Sequence, residues 1–177
     1  MEKLREFDLL LIKKVFEPVC RFVEQKIGRN QFWQARLCAH LYILAVLVTG
    51  GLGLTGGAYE IEHSLSKKIV IAVCLLVLLF IGPFFIYGIR IREEQAQKGD
   101  YTNRLHFERA QWPARIFYLV LFSALGVWHF FSTPILVGVI FPIGLQGYVS
   151  AHYLLACEPK TPEKKEEKNL NAKPASV

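Results

Sequence analysis

The most apolar parts of this chain lack charge. Four blocks, Leu37–Tyr59, Ile69–Ile89, Ile116–Phe131 and Pro134–Ala156, contain no Asp, Glu, Lys or Arg. Ion-coupled transporters, proton pumps and intramembrane hydrolases rely on ionisable groups at membrane depth. The absence therefore turns the reading away from those classes and makes a non-enzymatic role the expectation. Cysteine is also sparse. Cys20, Cys38, Cys74 and Cys157 form no CxxC pair and no zinc-like spacing, so they read as small buried or juxtamembrane thiols and not as a disulfide framework. There is no Asn-x-Ser/Thr sequon. There is no phosphate-binding loop either, because GGLGLTGG lies inside an apolar block and lacks a Lys-Ser/Thr ending. No nucleic-acid-binding motif is present. The first 30 residues hold no apolar core followed by a small-residue cleavage site, so the first span is expected to stay as an anchor.

What is present points to a polytopic membrane protein. Of 177 residues 53% are hydrophobic, and they are gathered into uninterrupted blocks that a soluble domain of this length would not show. About 20 residues at ~1.5 Å rise cross ~30 Å of hydrocarbon. Spans are therefore predicted over about 37–59, 69–89, 112–131 and 134–156, with Trp112–Arg115 lengthening the third. The expected fold is an all-α integral membrane protein. It comprises a four-transmembrane-helix bundle (37–157), a cytoplasmic amphipathic helix and interface segment (1–36), a cytoplasmic loop (90–111) and a disordered tail (158–177).

Charge sets the expected orientation. Segments 1–36, 90–115 and 158–177 hold 8, 6 and 5 Lys/Arg, against only Lys67 and Lys68 between the first two spans and none in the Ser132–Pro134 turn. The positive-inside rule then puts both termini in the cytoplasm. This orientation accounts for the net charge of +6 without a nucleic-acid partner.

Residues 3–27 carry Leu4, Leu11, Ile12, Val15, Phe16, Val19, Phe22, Val23 and Ile27 at helical spacing, with Lys3, Glu6, Lys13, Lys14, Glu17, Arg21 and Glu24 mainly on the other side. Such a helix lies in the membrane interface or packs on a partner or on the span ends. Pro18 is expected to kink or split it near Glu17. Trp33 and Trp112 are the expected interface anchors.

Within the first span Thr49, Gly53 and Gly57 recur every four residues, a small-residue row that permits close helix packing within the monomer or self-association. Pro83 should kink the second span. Pro142 should kink the fourth, where the residue four before it is Gly138 and a bend is easily accommodated. In the long loop a break is predicted at Gly99–Asp100, with a second helix from near Thr102. His106, Glu108 and Arg109 on that helix read as a solvated face.

The candidate ligands are few. His40 and His152 lie a few residues inside the cytoplasmic ends of spans one and four, and two histidines at like depth on different helices can clamp a haem iron. Four spans with histidines in two layers resemble membrane b-type cytochromes in span and histidine count. Those proteins place two ligands far apart on one helix, which no helix here does. Cys38 and Cys157 would complete a metal set by ligand type. However, Cys38 and His40 are two residues apart and point to opposite sides of their helix. No cofactor is expected. The expected function is a membrane scaffold or accessory subunit that presents cytoplasmic segments to a partner or to the membrane surface. Its partners would be the bilayer, and a protein or second copy reached through the Gly-rich first span or the N-terminal helix. The alternatives are a small oligomeric transporter or channel subunit, and a histidine-ligated haem or metal protein.

Overall fold

The computed structural model describes residues 1–54, 65–98, 101–132 and 135–158, and within them every regular element is helical. The chain begins with α1 (Glu2–Leu11), one π turn (Ile12–Phe16) and α2 (Glu17–Ile27). It continues with α3 (Gln31–Leu54), α4 (Leu65–Gln97), α5 (Tyr101–Ala110), α6 (Trp112–Ser132) and α7 (Ile135–Ala156). Gly57, the Gly99–Asp100 break, the Thr133–Pro134 part of the turn and the tail from 159 onward lie outside the described residues.

The proline in the N-terminal helix acts through the turn that precedes it. Pro18 has no N–H to offer the carbonyl four residues back, and the ladder widens just upstream: the Glu17 N–H reaches the carbonyl of Ile12, five residues earlier. The helix is re-registered at this point and continues. It ends at Gly28, whose φ of 70° lies in the left-handed region that glycine enters without a Cβ penalty. Asn30 then starts α3, its Oδ1 accepting the Trp33 N–H at 2.9 Å.

Among the described residues three helical segments are long and apolar enough to cross a membrane: Gln31–Leu52, Trp112–Ser132 and Val137–Ala156. α3 packs on α7, α7 on α6, and α3 on α4. Helix α4 runs 33 residues through Pro83 without interruption. The Tyr42 hydroxyl donates to the Leu78 carbonyl at 3.2 Å, beside the place where Pro83 removes a ladder bond.

Helix α7 comes close to the backbone of α3. A Cβ at Gly144 would collide with the Cβ of Ala45, and one at Gly147 would sit 2.9 Å from the backbone oxygen of Cys38. Cys38, Tyr42, Ala45 and Thr49 share one face of α3. Thr49 is buried on it, returning its hydroxyl to the Ala45 carbonyl at 2.7 Å. Pro142 packs against Gly126 of α6, where an added Cβ would lie 3.2 Å from the proline ring. Gly138, one turn before Pro142, is buried.

Candidate functional site

The residues with chemistry in them gather at the end of the bundle where the N-terminal helix docks. Asp8 of α1 stands one turn after Leu4 and one turn before Ile12, on a side otherwise apolar. An acid there needs a partner, and Arg115 of α6 supplies it. Arg115 Nε donates to Asp8 Oδ1 at 3.1 Å and Nη2 to Oδ2 at 2.5 Å. The two side chains are 0% and 1% exposed, so this is a fully buried, two-point pair. The remaining nitrogen, Nη1, donates to the backbone oxygen of Glu108, and the guanidinium lies over the Tyr153 ring, 5.6 Å from its centroid.

The network continues through α5. The Glu108 carboxylate is 1% exposed and meets Arg92 Nε of α4 at 2.7 Å. Arg109 reaches Glu158 at 2.8 Å and Glu17 of α2 at 3.8 Å. On the far side Arg36 of α3 pairs with Glu93 of α4, which also accepts from the Asn30 amide. The Gln34 side chain donates to the Cys20 carbonyl at 3.2 Å, tying α2 to α3. Below this polar layer Ile12 is buried with Val149, Tyr153, Ala156 and Cys157, and Phe16 stacks on Tyr153 at 4.6 Å.

One expectation changes here. Glu108 does not belong to a solvated loop face, because α5 turns it inward onto Arg92; on the same helix His106 is exposed. Arg115, which the sequence places at the edge of the third span, is part of the buried foot of α6. The sequence carried one usable signal for this pair, an acid set among apolar positions on one helix. That signal names no partner.

The histidines have separate surroundings. His40 is exposed, and its Nδ1–H donates to the Arg36 carbonyl at 2.6 Å, one turn earlier. His152 lies among Phe85, Tyr118 and Tyr148, with ring centroids 4.4 to 5.4 Å away. Among the described residues no group of three or more His, Cys, Asp or Glu side chains is placed to hold one metal ion. Gln146 donates to Ser123 Oγ at 3.2 Å across the α6–α7 seam, above an apolar cleft of about 440 Å³ lined by Gly126, Phe130, Gly138 and Pro142. Trp33 and Trp112 are half-buried at the first turns of α3 and α6, and the Arg29 guanidinium sits 5.7 Å from the Trp33 ring centroid.

Burial governs the thiols outside the apolar helices. The Cys20 thiol is pushed up to about 12, first by burial and then by the Glu24 charge. The Cys157 thiol is also raised by burial, reinforced by Cys20 and Glu17. Both are poor nucleophiles at neutral pH. With Asp8, Glu17, Glu93, Glu108 and Glu158 each set against an arginine, this arrangement can hold the N-terminal helix and the ends of the longer helices together.

Among the described residues these features define an all-helical protein with three helices long and apolar enough to cross a membrane. No protein-family model matches the chain, and neither does any curated protein or solved structure.

Proposed function

We propose that this protein is a non-enzymatic membrane scaffold or accessory subunit. In this reading α4 supplies a fourth span through its charge-free Ile69–Ile89 segment. At about 1.5 Å per residue its 33 residues exceed the ~30 Å hydrocarbon layer, leaving Arg90–Gln97 beyond the membrane. Both termini face the cytoplasm, on the 19-to-2 division of Lys and Arg. The bundle needs no cofactor. Its partners are the bilayer and either a second polypeptide or a second copy.

The observation that carries this reading is the buried Asp8–Arg115 pair. It fastens an amphipathic N-terminal helix to the bundle while Leu4, Phe7, Leu10, Val15, Val19 and Phe22 remain exposed. In this reading the pair serves to hold the helix in one orientation, a registry role that buried polar groups fill in some proteins. Native mass spectrometry of the protein extracted gently from its own membrane, with an absorbance spectrum of the same sample, tests it. A colourless assembly with another polypeptide is expected. A lone chain carrying a haem or metal ion would overturn the reading.

A further inference from the structure

The N-terminal helix meets the bundle at one depth. Asp8 is gripped by Arg115, three residues inside the Trp112 end of α6. Phe16 stacks on Tyr153, three residues inside the Ala156 end of α7. The Cys20 carbonyl accepts from Gln34, three residues inside the Gln31 end of α3. Three residues of helix rise amount to about 4.5 Å. Contacts from residue 8 to residue 20 thus sit at the same level on three different helices, so α1, the π turn and α2 run across the helix ends, in the plane of a membrane that those helices would cross.

The side of the helix that points deeper is also fixed. Ile12 is buried with Val149, seven residues inside the end of α7, which is about 10 Å. Leu11 closes on the same cluster together with Tyr118, Leu119 and Phe122, residues well inside α6. Leu4, Phe7 and Leu11 follow one another at i, i+3 and i+7, so they form one stripe, and Val15, about one wider π turn after Leu11, continues it. Leu4, Phe7 and Val15 in that stripe are 50%, 47% and 46% exposed. Lys13 lies on the opposite side of the helix and is exposed.

We infer that the Leu4–Phe7–Val15 stripe is seated in the acyl chains of the cytoplasmic leaflet, so that the occupant of this face is phospholipid and not a protein. The inference rests on the membrane-spanning reading above. Two features select lipid. The stripe lies on the same side as Leu11 and Ile12, whose contacts are inside the apolar helices. Its depth of about 5 Å is that of an interfacial amphipathic helix with its apolar face at the headgroup–acyl boundary. The exposed Lys3, Lys13, Lys14 and Arg21 then stay at the headgroup level.

The test uses the full chain, reconstituted in phosphatidylcholine–phosphatidylserine vesicles, with p-benzoyl-phenylalanine in place of Phe7, Val15 or Lys13. After illumination, intact-mass measurement should show a phospholipid adduct at positions 7 and 15 and none at 13. Absence of lipid adducts at 7 and 15, or crosslinks from those positions to a second copy of the chain, would overturn the inference. The scaffold reading fails separately. A chain that forms lipid adducts in vesicles but is isolated from its native membrane alone with a bound cofactor retains the seated helix and loses the scaffold role.

Discussion

Arg115 grips both carboxylate oxygens of Asp8 from 107 residues away in sequence, at 3.1 and 2.5 Å, with neither side chain open to solvent. Removing one member leaves the other charged and buried. Asp8→Ala and Arg115→Met should each cost roughly 3–5 kcal/mol. The joint replacement Asp8→Leu with Arg115→Met should recover most of that loss, because an apolar pair needs no charge compensation. Thermal unfolding in detergent, read with protease release of residues 1–27, checks both. Single variants as stable as the parent chain would show that the pair does not hold the helix.

The glycines of α7 give a graded series. Gly144→Ala and Gly147→Ala force a Cβ onto Ala45 and onto the Cys38 backbone oxygen, neither of which can rotate away. Each should lower stability by about 1–3 kcal/mol, as overpacking does. Gly82→Ala forces a Cβ onto Cγ1 of Ile43, the branch of that side chain and not its tip, so the whole side chain must turn and a loss is expected here too, below that at Gly147, where backbone is met. Gly51→Ala meets nothing within 4 Å and should be neutral or slightly stabilising. Apparent melting temperatures in one detergent rank the four. An equal loss at Gly51 and Gly147 would contradict this packing.

Cys20 should report whether the N-terminal helix is docked. Its thiol is raised to about 12 by burial, so maleimide labelling of the intact protein should be slow at pH 7 and increase as pH rises toward that value. The sign of the stability effect follows. The folded state favours the neutral thiol, so its contribution is complete below the unfolded pKa of about 8.5 and is lost between there and pH 12. Undocking the helix with Asp8→Ala should speed Cys20 labelling at pH 7. Mass-resolved labelling kinetics measure it, and an unchanged rate would mean that the thiol is shielded by something other than the docked helix.

Tyr42 and Pro83 should be energetically coupled. The hydroxyl bonds the Leu78 carbonyl beside the one that Pro83 leaves without a ladder partner. Tyr42→Phe should cost about 0.6 kcal/mol, the usual size of an interhelical hydrogen bond in a membrane. The cost should change in a Pro83→Ala background, where closing the Leu79 bond relaxes the backbone beside Leu78. A double-mutant cycle on unfolding free energy gives the coupling directly. Strict additivity would show that the Tyr42 bond is independent of the proline.

The apolar blocks, the proline and glycine positions and the charge counts are local properties. They were enough to predict an all-helical chain with helices long enough to span, and a helix before the first of them. The start of α3 at Asn30 and the stop of α2 at Gly28 rest on local chemistry too, but they were not among those expectations. The pairing of Asp8 with Arg115 and of Glu108 with Arg92, and the choice of Gly144 and Gly147 for the close contact on α3, could not be reached in that way. Helical periodicity tells which side of a helix is apolar, but not which other helix it faces or at what height. A carboxylate on a helix face looks solvated until another element closes over it, as α5 does in turning Glu108 inward. By itself the sequence determined that the chain is helical and suited to lipid, because hydrocarbon requires long uncharged segments that satisfy their own backbone. Only the tertiary structure decided that the N-terminal helix is held by a buried ion pair, because that depends on the meeting of residues 107 positions apart, and such a meeting exists only once the helices have packed.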